Sequence, residues 1–177
     1  MSAVRLSLLC GLTLTLAACE TTGGPPPPPM REAPPSPQAF RPGDFSWSAV
    51  PGRNRIEGRL IYARGPQRFT CAGSAVILTP ETPWTRRRMT ILYKSANSAA
   101  LPVEEVRART PTAPDGDYSA FVRRTNCDGQ DRFSFTGLPD GAWYAILVAK
   151  PVGGQGGGVA IMRRVEARNG RTAMLAL

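Results

Sequence analysis

Chemistry in this chain must be done without imidazole. Its 177 residues hold no histidine, against 13 carboxylates, 22 lysines and arginines and 4 cysteines. The commonest general base and metal ligand is therefore missing. No Gly-x-Ser-x-Gly elbow and no Ser-x-x-Lys pair occurs, and no cysteine has a histidine to activate it. Three carboxylate pairs remain. Glu104 and Glu105 are adjacent and diverge if extended. Asp115 and Asp117 share a face within a Pro/Gly turn, and Asp128 and Asp131 lie in another turn. Solvated turn residues explain all three better than a dyad about 5–10 Å apart. A carboxylate-based hydrolase is thus the remote alternative. Asp128-Gly129-Gln130-Asp131 has too few oxygens for a convincing calcium loop. The expectation is no catalytic residue, no cofactor and no metal.

The abundant group is guanidinium. The formal net charge is +9, and arginines cluster at Arg86-Arg87-Arg88, Arg123-Arg124 and Arg163-Arg164. Arginine grips carboxylate or phosphate in two-pronged fashion. Arg86, Arg87, Arg88, Arg123 and Arg124 are therefore the candidate anion-binding residues. The competing reading is that their stems cover a sheet edge and keep it soluble. If extended, neighbouring arginines point to opposite faces, so no cluster as a whole lines one surface. Trp84, beside Arg86, suits either glycan stacking or a core.

What must position these groups begins with an export signal. Arg5 precedes an apolar run, Leu6 to Leu16, too short to span a bilayer. Leu16-Ala17-Ala18-Cys19 follows and resembles the lipobox of bacterial lipoproteins. The resemblance implies cleavage before Cys19, diacylglycerol on its thiol and acylation of the new amino terminus, enough chains for firm anchoring. Glu20 is not the aspartate associated with inner-membrane retention. The expected location is the outer membrane, facing the periplasm, which argues against nucleic acid as the basic chain's partner. Thr21 to Pro42 contains nine prolines and reads as a semi-rigid spacer, with a proline-motif ligand as the alternative. The expected organisation is a signal peptide at 1–18, a lipidated cysteine and disordered tether at 19–44, and one domain at 45–177. In an oxidising compartment, Cys71 and Cys127 form an even pair expected to be disulfide-bonded.

The domain reads as all-β, a sandwich of seven or eight strands. Strands are expected at Asn54 to Ala63, Phe69 to Leu78, Arg88 to Lys94, Asp117 to Thr125, Phe133 to Phe135 and Ala142 to Lys150. Val159 to Arg168 and Arg171 to Leu177 follow, joined as a hairpin by Asn169-Gly170. Ala142 to Lys150 is almost wholly apolar and should be central, covered on both faces. Gly153 to Gly158 should be a hairpin tip. Ser95 to Gly116 is a long connection in which Pro102 to Ala108 makes a turn or two of helix.

Four segments resemble one family. Gly58-Arg59-Leu60-Ile61 opens the pattern. Cys71-Ala72-Gly73-Ser74-Ala75-Val76-Ile77-Leu78 supplies a second strand. Thr125 through Phe135 gives a turn and a Phe-x-Phe strand, and Thr136-Gly137-Leu138-Pro139-Asp140-Gly141-Ala142-Trp143-Tyr144 a Gly-Leu-Pro turn. Together these are similar to the carboxypeptidase regulatory-like domain, a transthyretin-like sandwich, over roughly residues 55–150. Asp131 stands near where that family often has glycine, and the 95–116 link is longer than usual. The resemblance implies an accessory module without peptidase activity. The expected function is a non-enzymatic envelope lipoprotein that binds or scaffolds at the membrane or cell wall. Its partner would be a wall or anionic envelope component. The alternative is docking of an envelope protein through a sandwich edge strand.

Overall fold

The structure, a computed structural model, describes residues 39–177. The signal peptide, Cys19 and most of the proline-rich tether lie outside the described residues.

Ten strands form two sheets. Sheet I has three strands: β1 (Asn54–Arg59) lies between β10 (Thr172–Ala176), to which it runs parallel, and β7 (Arg132–Leu138), to which it runs antiparallel. Sheet II is built on β8 (Gly141–Pro151). One flank of β8 pairs with β9 (Val159–Ala167), which carries β5 (Ser98–Pro102). The other flank pairs with β4 (Ala75–Pro80), followed by β6 (Arg123–Asn126). Further along that flank, β8 pairs with β3 (Gln67–Thr70), itself paired with β2 (Ala63–Arg64). Alternation places Ile56, Phe133, Phe135 and Leu175 of sheet I against Val76, Leu78, Trp143, Leu147 and Ile161 of sheet II in one core. Gly58 is part of that fit: a β-carbon there would lie 2.0 Å from the Phe133 ring of its partner strand.

The all-β sandwich is therefore as expected, and several local expectations are corrected. Arg88 to Lys94 is not a strand. It closes α1 (Pro83–Tyr93), which starts with proline at the first position. The Thr82 hydroxyl accepts from the Thr85 amide, and the Thr85 hydroxyl accepts from the Thr82 amide in return. Met89, Leu92 and Tyr93 form its buried stripe. The alternation of Met89, Ile91 and Tyr93 mimicked a strand because only seven residues were compared. Within 95–116 the chain makes β5 and then α2 (Val103–Arg109), with Pro102 as the residue before the helix rather than in it. The stretch 117–125 is extended only from Arg123; Ser119–Phe121 is a short 3₁₀ turn. The 54–63 strand ends at Arg59, and the 69–78 strand is broken between Thr70 and Ala75.

Asn169-Gly170 is a tight turn with φ of 62° and 67°, the left-handed pair that such a turn requires. It does not close a hairpin. β9 belongs to sheet II, while β10 crosses to sheet I beside β1. Gly137-Leu138-Pro139-Asp140-Gly141 likewise carries the chain from β7 to β8, with Leu138 fully buried. Buried Asn54 ties both crossings together. Its amide donates to Leu138 O at 3.0 Å and to Asp140 Oδ1 at 2.8 Å, and its oxygen accepts from the Arg171 amide at 3.2 Å.

Cys71 and Cys127 are bonded, with Cα atoms 5.7 Å apart, closing a separation of 56 residues. By the chain-entropy estimate such a closure contributes roughly 4 kcal/mol. Asp131 braces the same corner. It adopts φ 62°, the conformation a glycine would take most easily. Its carboxylate accepts from Thr70 Oγ1 at 2.6 Å and from the Cys71 and Ala72 amides at 2.7 and 3.1 Å. The departure from glycine is thus offset by three hydrogen bonds.

Upstream of β1, a 3₁₀ helix (Pro42–Ala49) straps the sandwich. Phe45 stacks on Phe121 at 4.8 Å, and Phe40 meets the Trp84 ring edge-on at 5.2 Å.

Candidate functional site

The two outer faces of the sandwich differ. That of sheet II is roofed: Tyr144, Ala160 and Met162 pack under Met89, Leu92 and Tyr93 of α1, with Val103 and Val106 of α2 alongside. Glu81 pins this roof. Its carboxylate accepts from Tyr144 Oη at 3.1 Å and Arg164 Nε at 2.7 Å, and pairs with Arg86 at 2.5 Å. Arg164 bridges onward to Glu166, which also meets Arg168. Burial, then the Glu81 charge, holds the Tyr144 phenol above its ordinary range. Burial, then nearby Tyr118, pushes the Tyr93 phenol up to about 12.

Among the described residues, no helix covers the outer face of sheet I. Outward-pointing Glu57, Arg59, Arg132, Ser134, Met174 and Ala176 line a groove of about 730 Å³ that also takes in Ile61 and Asp128. Met174 is 75 % and Ile61 67 % exposed. These are large apolar side chains left in water beside polar ones, the usual composition of a surface that meets a ligand. Arg59 and Arg132 stand directly opposite each other on β1 and β7. Arg132 Nε donates to Asp128 Oδ2 and Nη2 to Gln130 Oε1, both at 3.0 Å. The Arg132 amide, then that of Gln130, bonds the Asp128 carboxylate and holds it below the usual carboxylate range. Arg59's guanidinium has no hydrogen bond or ion pair among the described residues. One pleat away, Glu57 is taken by Arg55 at 3.1 Å.

The arginines expected to bind anions are distributed differently. Arg86, Arg87 and Arg88 are consecutive on a helix, not a strand. Arg86 is committed to Glu81, and Arg87 is exposed. Arg88 lies 5.6 Å over both the Trp84 and Tyr118 rings and donates to Pro114 O at 2.9 Å. Trp84 is wholly buried and offers no platform to a glycan. Arg123 covers the Trp143 ring and donates to Ser48 O at 3.0 Å, while Arg124 is exposed on β6. Arg86, Arg87 and Arg124 are the exposed cations of the five, and of these Arg87 and Arg124, on separate elements, have no ion pair among the described residues. Arg59 and Arg132 went unnoticed in sequence because they lie 73 positions apart and meet only through the β1–β7 register.

The carboxylate pairs do not converge. Glu104 pairs with Arg107 at 2.9 Å, and Glu105 with Lys94 and Arg109. Asp117 accepts from the Ser119 amide, and Asp128 and Asp131 face different partners. Among the described residues no cluster of three or more acidic or thiol ligands is poised for a metal.

No known family model matches this sequence, and no curated protein matches it either. A solved structure does: a candidate carbohydrate-binding protein from Pseudomonas aeruginosa, 18 % identical, superposes with a TM-score of 0.51. The match covers 78 % of this chain and 97 % of that one. At that identity the likeness is one of fold.

Proposed function

We propose that this chain is a non-enzymatic binding module of the bacterial cell envelope, whose ligand face is the bare side of sheet I. The observation that carries the reading is the contrast between a roofed sheet II and an unroofed sheet I bearing a groove of about 730 Å³. Two further lines support it. The regulatory-like motifs resemble accessory modules, and the fold neighbour is described as a carbohydrate-binding candidate. A mostly apolar groove set with polar and charged side chains suits a glycan, whose hydroxyls need hydrogen bonds and whose C–H faces need apolar contact. In this reading the ligand is an anionic envelope or cell-wall component, and Cys19 carries the lipid that anchors the chain. The setting is the periplasmic side of the outer membrane.

Amide exchange on the full chain, with and without isolated envelope polysaccharide, tests the face. Protection should concentrate on β1, β7 and β10. Protection confined to α1 and to Arg123 and Arg124 would move the site to the arginine clusters and overturn this reading. The anchor is tested separately: Cys19→Ser should release the protein from membranes, and retention through high salt and carbonate would refute lipidation at that residue.

A second reading has its own observation. Among the described residues β10 pairs only with β1 and its outer edge is unpaired, and the strand carries no charge to guard it. An envelope protein adding a strand there would protect β10 alone.

A further inference from the structure

We infer that the groove on sheet I selects acidic glycans, gripping the carboxylate of a uronic acid residue between Arg59 and Arg132; this rests on the glycan reading above. Directly opposed residues of antiparallel strands hold their β-carbons about 4.5–5.5 Å apart, where like charges repel. The Arg59–Arg132 pair is such a juxtaposition. The sequence leaves it unrelieved on one side. Arg132 is aimed by Asp128 and Gln130 through Nε and Nη2, and Nη1 takes part in neither bond. Arg59's guanidinium has no hydrogen-bond or ion-pair partner among the described residues. The nearest acid on the same face, Glu57, is held by Arg55. Two guanidinium groups therefore extend from directly opposed positions on one face of the sheet with donor capacity to spare, and such donors bind a carboxylate through charge-assisted hydrogen bonds.

The charge count favours a carboxylate over a phosphate. Arg55, Arg59 and Arg132 face Glu57 and Asp128, which leaves one net positive charge on this side of the sheet. A monoanion neutralises that charge, whereas a phosphate dianion overshoots it beside two fixed acids. The rest of the groove suits the sugar itself. Ser134 and Asn126 offer hydroxyl and amide groups, and Met174 and Ile61 offer exposed apolar surface.

The test is calorimetric titration of the full chain with oligogalacturonate and oligoglucuronate. Their carboxyl-reduced counterparts and inorganic phosphate are titrated in parallel. At least one oligouronate should bind, weakening with salt, and carboxyl reduction should weaken it by about tenfold or more. Arg59→Ala should reproduce that loss. Arg59→Lys should restore part of it, since a point charge replaces a fork. Arg87→Ala, on the other side of the sandwich, should change nothing. Equal binding of the reduced and acidic forms would overturn the uronate inference and leave a glycan-binding face standing. Preference for phosphate over both oligouronates would also overturn it. Absence of binding by every saccharide would sink this inference and the glycan reading together.

Discussion

Sheet I and sheet II share one core but meet solvent in opposite ways. Sheet II keeps apolar residues on its outer face, Tyr144, Ala160 and Met162, and buries them under two helices. Sheet I alternates strictly, with Arg55, Glu57 and Arg59 outward around buried Ile56, and Ser134 between buried Phe133 and Phe135. The side chains decide the difference. Outward apolar residues oblige a sheet to recruit a roof, whereas outward polar ones leave it free to meet a ligand. Met174 breaks the polar pattern of sheet I, and Ile61, just beyond β1, adds a second exposed apolar side chain; together they mark the groove.

The sharpest way to break this comparison is to damage the roof. Trp84→Ala removes the ring that Phe40, Phe45, Tyr118 and Arg88 surround. It should cost about 3–5 kcal/mol in a denaturant titration. A loss below about 1 kcal/mol would mean that α1 is not an integral roof. Leu138→Ala, at the crossing between the sheets, should cost about 2–5 kcal/mol. Calorimetry should show its melting temperature falling more than that of Arg86→Ala, Arg87→Ala or Arg88→Ala.

Alkaline pH probes the roof more gently. Tyr93 ionises at 10.0 when exposed and is pushed up to about 12 by burial at the end of α1. Above 10 the unfolded chain gives up this proton while the folded chain keeps it, so stability falls with rising pH. The contribution is whole below pH 10 and is lost as pH rises through about 12. Tyr93→Phe should therefore lose about 2–3 kcal/mol less than the parent across that window. Parallel pH curves for the two proteins would contradict the buried phenol. The smallest effect belongs to the bare face. Met174→Ser should change stability by no more than about 0.5 kcal/mol yet weaken polysaccharide binding. A destabilisation as large as that of Trp84→Ala would show that Met174 is structural, and the contrast between faces would collapse.

The features legible in sequence were those encoded locally or by strict pairing of types. Cys71 and Cys127 were the even pair left for a disulfide, and they are bonded. Gly137 to Gly141 carried its turn chemistry in five residues, and Leu138, its single large apolar residue, is fully buried. The helix α1 was missed because Arg86, Arg87 and Arg88 dilute its apolar stripe, and because its capping signal, Thr82 with Thr85, uses threonine where glutamate is the familiar partner. The groove was invisible for a different reason. Arg59, Arg132 and Met174 come from three strands, and nothing local tells β10 to leave β9 and pair with β1. The Asn169-Gly170 turn has hairpin geometry, and only sheet I's need for a third strand redirects the chain that follows it.

That redirection sets the order in which the molecule can assemble. β10 pairs with β1 in a register that joins Arg55 to Thr172, so the contact closes a loop of well over one hundred residues. Such a closure is entropically late: the chain must already be compacted, chiefly by the neighbouring β8–β9 pairing, before the two ends meet often enough to zip. A chain still being synthesised can hold sheet II in draft but has no β10 to complete sheet I. The bare face is then the last surface to appear, and an unfinished chain presents no groove to a passing ligand.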